Sequence, residues 1–207
     1  AVIHCAALLD QVFMYNQRET SWRIMVEGTQ AFAEACRDVG ARFIFVSSDW
    51  VFDGQQPFVT EDSPPFPVNF YGIMKTASEI ALSQMQSLSY GVGRLAGVYG
   101  INYASPSLTR DDQGLGFDFG NYLIKQFHAD RVAPLWIGPN VNDIANPTLA
   151  SDAADMLLRL AKHDRNGIFH CFGSESISRI DFAYRLAEQF GVSRSLVVPV
   201  PTDPVVL

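Results

Sequence analysis

The chain has 207 residues, 48% hydrophobic and 18% charged, a composition that excludes intrinsic disorder and collagen-like structure and supplies a core without metal or disulfide staples. Its 15 basic against 22 acidic side chains give a net charge of −7, with lysine only at 75, 125 and 162, so there is no basic stripe and no nucleic acid is expected as a partner. Cys5, Cys36 and Cys171 form no CxxC pair and no apolar run approaches the roughly 20 residues of a membrane span, so a reduced, cytoplasmic setting without a membrane partner is expected.

The chain opens on Ala1 directly in a strand-like run, Val2 to Ala7, from which we expect a portion of a longer protein. Glu19 to Val39 predicts a helix ended by Gly40, with Gly28 inside it hinting at close packing. Arg42 to Ser47 is β-branched and aromatic and predicts a buried strand. A turn-rich loop spans Asp53 to Pro67, a helical pattern runs from Tyr71 through Gln84, and Tyr90 to Leu95 predicts a third strand. Strand–helix alternation of this kind argues an α/β fold with a Rossmann-like parallel sheet and helices on both faces. In the second half, Asn102 to Gly120 reads as a loop, and Thr148 to Leu160 as a helix with Ser151 or Asp152 as cap. Ile168 to Phe172 reads as a strand, Arg179 to Phe190 as a helix closed by Gly191, and Leu196 to Val200 as a last strand. The expected division is 1–102 for the dinucleotide-binding portion and 103–207 for a smaller, mainly substrate-binding α/β part that returns some segments to the sheet.

Tyr71 and Lys75 stand at i and i+4, on one face of their helix. An adjacent cation favours the phenolate and draws a tyrosine from its ordinary pKa of about 10 toward proton transfer at neutral pH. Ser47 and Ser48 close the second strand at the carboxyl edge of a parallel sheet, where ligands bind. A hydroxyl, a phenol and an ammonium converging there could polarise a carbonyl for hydride transfer. Spacing alone does not decide this, because Tyr-x-x-x-Lys arises by chance in many helices.

The run Val46-Ser47-Ser48-Asp49-Trp50-Val51-Phe52-Asp53-Gly54, then Glu61, and Asn69-Phe70-Tyr71-Gly72-Ile73-Met74-Lys75 with Glu79, resembles the extended short-chain dehydrogenase/reductase superfamily. Within it the sequence is most similar to the dTDP-4-dehydrorhamnose reductase family. Val2-Ile3-His4-Cys5-Ala6-Ala7 and Arg94-Leu95-Ala96-Gly97-Val98-Tyr99-Gly100 resemble the fourth and sixth strands of that family, and softer matches at Asn146-Pro147-Thr148 and Gly167 to Gly173 resemble its substrate-domain segments. The resemblance implies Tyr71 as general acid, with Lys75 tuning it and holding the ribose of NADP or NAD. Cys5, Ala6, Ala7 and Ser47 would lie beside the cofactor. Ser48 would bond the substrate oxygen, and Asp49, Trp50 and Val51 would line the sugar pocket. Strand alternation puts Ser47 and Ser48 on opposite faces, and Ser48 is the one expected to reach substrate. The implied partners are a nucleotide-sugar substrate and a second copy of the chain.

Three departures bear on that expectation. Gly91, Gly93 and Gly97 miss the GxGxxG spacing of a pyrophosphate turn and open no helix. Met25 stands where the family commonly carries an asparagine associated with a proton-relay water, and a thioether cannot replace its hydrogen bonds. Trp50 stands where the family usually has tyrosine. Two readings follow. One is an NAD(P)H-dependent reductase of a nucleotide-linked 4-keto sugar, favoured by Ser48, Tyr71 and Lys75. The other is a non-catalytic, NADP-binding regulatory subunit resembling the methionine adenosyltransferase beta subunit, partnered by a catalytic subunit and favoured by Met25 and Trp50. No metal is expected: His4, His128, His163 and His170 share no ligand spacing, and Asp111-Asp112 reads as a solvated turn.

Overall fold

A computed structural model describes residues 1–100, 119–139 and 141–202; of the loop expected from Asn102 to Gly120, residues 102–118, with the Asp111-Asp112 pair, lie outside them, while Phe119 and Gly120 open a helix. Strand β1 (Val2–His4) is followed by α1 (Gln11–Asn16), whose first turn is capped by the Asp10 carboxylate accepting from Phe13 N at 2.9 Å. Next come α2 (Arg18–Trp22), a π-helical turn at Arg23–Glu27 and α3 (Gly28–Asp38), where the sequence predicted one uninterrupted helix. An added Cβ at Gly28 would meet only Arg23 O, at 3.5 Å, so this glycine does not mark the close packing expected of it. Gly40 ends the rod with φ of +68°, the left-handed conformation that favours glycine.

Strand β2 (Phe43–Ser48) leads into a 3₁₀ turn at Asp49–Val51, then α4 (Phe70–Gln84), β3 (Tyr90–Leu95) and β4 (Val98–Tyr99). The second half holds α5 (Phe119–His128), β5 (Ala133–Ile137), β6 (Ile144–Ala145), β7 (Thr148–Leu149), α6 (Ala150–Lys162), β8 (Ile168–His170), β9 (Ile177–Ser178), α7 (Arg179–Gln189) and β10 (Val197–Pro201). Neither Ser151 nor Asp152 caps α6; Leu149 occupies the cap position and gives no side-chain bond.

The main sheet has order β1-β2-β3-β8 with every pairing parallel. Alternation along β2 separates its two faces. Phe43 and Phe45 pack with Ala33 and Cys36 of α3 and Leu82 of α4, while Ile44 packs with Leu157 and Leu160 of α6. The sheet is therefore covered on both sides, as a parallel sheet requires. Gly91 and Gly93 have a packing reason: a Cβ there would come within 2.9 Å of Leu160 and 2.6 Å of Leu157, so bare backbone lets α6 settle on β3. A second core joins Leu123 and Phe127 of α5, Ala133 and Leu135 of β5, Ala183 and Ala187 of α7 and Val197 of β10.

Candidate active site

Helix α4 starts where Asn69, itself buried, accepts from Gly72 N at 2.9 Å. The helix then passes so close to the 3₁₀ turn that a Cβ on Gly72 would lie 2.1 Å from Trp50 O. This contact seats half-buried Tyr71 against Trp50, the two rings edge to face at 5.8 Å and 87°. One turn on, Lys75 is 3% exposed, with Nζ 4.7 Å from the Phe45 ring centroid and 5.6 Å from that of Tyr71. Nζ donates to Val46 O at 2.7 Å, its one hydrogen bond among the described residues, so two of its three N–H donors have no partner among them. Burial pulls the Lys75 pKa down to about 8, against the opposing pull of Glu79 and the Cys5 thiol.

The Cys5 interaction places the end of β1 beside this ammonium. Cys5 and Ala6 are exposed and Ala7 half-buried just past the strand, and burial raises the Cys5 thiol pKa while Lys75 pulls it down. Ala7 and Tyr71 also share a cluster with Met14, Met25, Val26 and Met74. Met25 sits in the π turn. Its sulfur accepts from Leu8 N at 3.1 Å, and its carbonyl takes the Thr29 and Ser78 hydroxyls at 2.7 and 3.2 Å. Met25 thus ties the π turn to the segment after β1 and to α4, in bonds that involve no side-chain amide.

Ser47 and Ser48 part company as alternation requires. Ser47 donates to Glu79 of α4 at 2.5 Å, inside a buried network where Arg94 of β3 grips both Glu79 oxygens at 3.0 and 2.7 Å. Arg94 is 0% exposed, stacks at 4.8 Å over Phe52 and approaches His170 Nε2 at 3.5 Å. Ser47 is therefore engaged by this ion pair, whose Glu79 stands one helical turn from Lys75. Ser48 points the other way: its Oγ accepts from Trp50 N at 3.2 Å and donates to Asp49 Oδ1 at 3.0 Å.

Asp49 keeps a buried Oδ2 without a hydrogen-bond partner among the described residues. Burial pushes its carboxyl pKa up to about 6, opposed chiefly by Arg179 and by the Ser48 bond. Arg179, at the start of α7, donates from Nε to Asn142 O at 2.7 Å and lies 5.3 Å over Trp50. On the far side of Asp49 is a cavity of about 250 Å³ walled by Phe52, Phe58, Asn146, His170, Phe172 and Ser176, among others. Val51, expected in the sugar pocket, is 0% exposed; its side chain is core, and its carbonyl accepts from Phe66 N at 2.8 Å.

The structure thus gathers Lys75, Tyr71, Trp50, Ser48 and Asp49, with Cys5 to Ala7 alongside, at the carboxyl ends of β1 and β2. Sequence reasoning gave no role to Arg94 or Arg179. A charged residue inside the buried run Tyr90 to Leu95 was the signal for the first, and an arginine opening an amphipathic helix the weaker signal for the second.

Residues 1–206 match the model of the RmlD substrate binding domain family. The chain belongs to this family. Methionine adenosyltransferase 2 subunit beta of Xenopus laevis is 29% identical over 209 residues, covering 99% of this chain and 58% of that protein. The dTDP-4-keto-6-deoxy-D-glucose reductase of Streptomyces niveus is 27% identical over 180 residues, 85% of this chain and 56% of that protein. Among solved structures, the dTDP-4-dehydrorhamnose reductase of Bacillus anthracis str. Ames in complex with NADP superposes with a TM-score of 0.78 at 26% identity, covering 97% of this chain and 65% of that one. This RmlD-family chain therefore spans about three fifths of the length of the relatives it matches, and its fold is the Rossmann-like α/β fold of those reductases. Among the described residues no helix is long and apolar enough to cross a membrane.

Proposed function

We propose that the chain is the catalytic and substrate-facing portion of an NAD(P)H-dependent reductase acting on a nucleotide-linked 4-keto sugar. The observation that carries this reading is Lys75: a buried ammonium with two donors that have no partner among the described residues, near the Tyr71 ring and beside the end of β1. A charge held at such cost needs a ligand for its remaining donors. The ribose hydroxyls of NADP or NAD fit them, and the small side chains of Cys5, Ala6 and Ala7 leave the adjoining surface low. The bound dinucleotide supplies the hydride. No glycine turn of the pyrophosphate-binding type occurs in this sequence, so only the nicotinamide-ribose end is assigned to these residues.

The chemistry of the chain's own side chains follows from their placement. Tyr71 gives its phenolic proton to the carbonyl oxygen as negative charge develops there, and Lys75, charged at neutral pH, favours the phenolate left behind. Ser48, Asp49 and Trp50 border the sugar. Tyr71→Phe removes one oxygen from a half-buried ring, so fold and dinucleotide affinity should persist while reduction falls about 100-fold or more. NADPH oxidation by the full gene product, followed with a panel of nucleotide-linked keto sugars, tests this. An active parent unaffected by Tyr71→Phe removes the mechanism.

The regulatory reading keeps one structural argument: the Met25 side chain meets Leu8 N with its sulfur and carries no amide, so a water relay through an asparagine side chain at this position has no counterpart. The similarity to the adenosyltransferase beta subunit supports the same side. A parent that binds dinucleotide tightly yet reduces no sugar in the panel decides for it.

A further inference from the structure

Ser48 Oγ owns one proton and two lone pairs. The proton is given to Asp49 Oδ1 at 3.0 Å, and one lone pair takes Trp50 N at 3.2 Å. What remains to face a ligand is a single lone pair. A ketone oxygen cannot use it, since both groups would then be acceptors; a hydroxyl can. Building on the reductase reading, we infer that Asp49 is a positioning residue that sets the hydrogen-bond polarity of Ser48, which meets the sugar as an acceptor while Asp49 is ionised and as a donor once Asp49 is protonated.

The geometry makes this a two-state device. When Asp49 is protonated, its carboxyl can donate to Ser48 Oγ, and the serine proton is released to turn toward the substrate. Besides Ser48 and Arg179, only the backbone N–H groups of Asp49 and Trp50 favour the carboxylate, and Oδ2 is buried with no hydrogen-bond partner among the described residues. The neighbouring charge on α7 is Arg179, which lies beyond ion-pair distance, gives its Nε proton to Asn142 O and is shared with Asp143. His170 of β8 shares the cavity, and burial lowers its pKa, with Glu61 pulling the other way. Tyr71 and Lys75 of α4 stand behind Trp50. Burial places the Asp49 transition near pH 6, within reach of neutral conditions.

Two measurements on the full gene product test the inference. The first follows the Asp49 carboxyl by carbon-13 shift through a pH titration and needs no ligand. Ser48→Ala removes a donor to the carboxylate, so Asp49 should bind its proton about three- to tenfold more tightly. An unmoved midpoint overturns the inference. The second uses calorimetry with dinucleotide present to compare a dTDP-linked 4-keto-6-deoxyhexose with its 4-hydroxy counterpart. From pH 7.5 to 5 the parent's affinity ratio should move about tenfold toward the ketone, the worth of one hydrogen bond reversed, whereas Asp49→Asn and Ser48→Ala should give flat ratios. A flat parent, or an Asp49→Asn protein that still shifts, overturns it. If neither sugar binds at any pH, the reductase reading falls and this inference with it; if both bind with a constant ratio, this inference alone falls.

Discussion

Replacing Lys75 by methionine should make the protein more stable at neutral pH while removing its ability to hold a dinucleotide. The ammonium is 3% exposed and its pKa falls from 10.5 to about 8 through burial, which corresponds to about 3 kcal/mol by which the charged form is disfavoured in the folded protein. Methionine keeps the length and packs with Phe45 and Met74, but leaves Val46 O without the donor it has at 2.7 Å, a loss of about 1 kcal/mol. A net gain of about 2 kcal/mol at pH 7 is expected. The pH dependence carries the sign. Between pH 8 and 10.5 the unfolded parent still holds the Lys75 proton and the folded parent does not, so the parent's stability rises with pH across that window. The advantage of Lys75→Met should therefore shrink above pH 8 and vanish or reverse near pH 10. Guanidinium unfolding of both proteins at pH 7 and pH 10 measures it, since other groups titrate alike in the pair. A variant less stable than the parent at pH 7, or a difference equal at the two pH values, refutes the account of Lys75 as a costly buried charge.

Glu79→Gln leaves the Arg94 guanidinium, 0% exposed, with no carboxylate, and should cost about 3–5 kcal/mol in denaturant unfolding; a loss below about 1 kcal/mol would mean that the pair is not desolvated as described. Gly72→Ala forces a methyl to within 2.1 Å of Trp50 O, backbone that cannot swing aside, and should cost about 3 kcal/mol or more. The same change should shift tryptophan fluorescence as α4 moves off the 3₁₀ turn; an unchanged midpoint and spectrum would contradict the close approach.

Periodic elements were legible in the sequence because one face of each is buried. β2, α4, β3, α6 and α7 appear within a few residues of their expected bounds, and Gly40 and Gly191 stop their helices with positive φ. Helix α5 was not expected; its signal, Phe119, Leu123 and Phe127 at spacing of four, was masked by Asp and Gly just upstream. Strand β5 holds only five residues and finds its partner β10 more than sixty positions later, a pairing no local window contains. In the site, the Tyr71–Lys75 spacing and the alternation of Ser47 with Ser48 were legible because helix and strand periods fix them. The burial of Val51 was not, since it depends on where the 3₁₀ turn directs the chain. The fate of Ser47 needed Glu79 and Arg94, residues 32 and 47 positions away along the chain.

That buried pair has a consequence for Lys75. Glu79 lies one turn beyond Lys75 and pulls its pKa upward, and a free carboxylate there would hold the ammonium firmly charged and bind it. Arg94 takes both Glu79 oxygens, and Ser47 adds a third bond, so the carboxylate's hydrogen-bonding capacity is directed away from Lys75. The ammonium keeps a pKa of about 8 and remains protonated roughly ten to one at pH 7, but its donors stay available instead of being consumed by an ion pair. Arg94 and Ser47 act on the site by occupying a carboxylate that would otherwise capture the lysine. Arg94→Met should therefore turn Glu79 toward Lys75, raise the lysine's pKa above 8 and weaken dinucleotide binding, even though Arg94 stands on another strand. A fall in affinity with an unmoved Lys75 titration, read by nitrogen-15 shift of the ammonium, would assign the loss to packing and break this link.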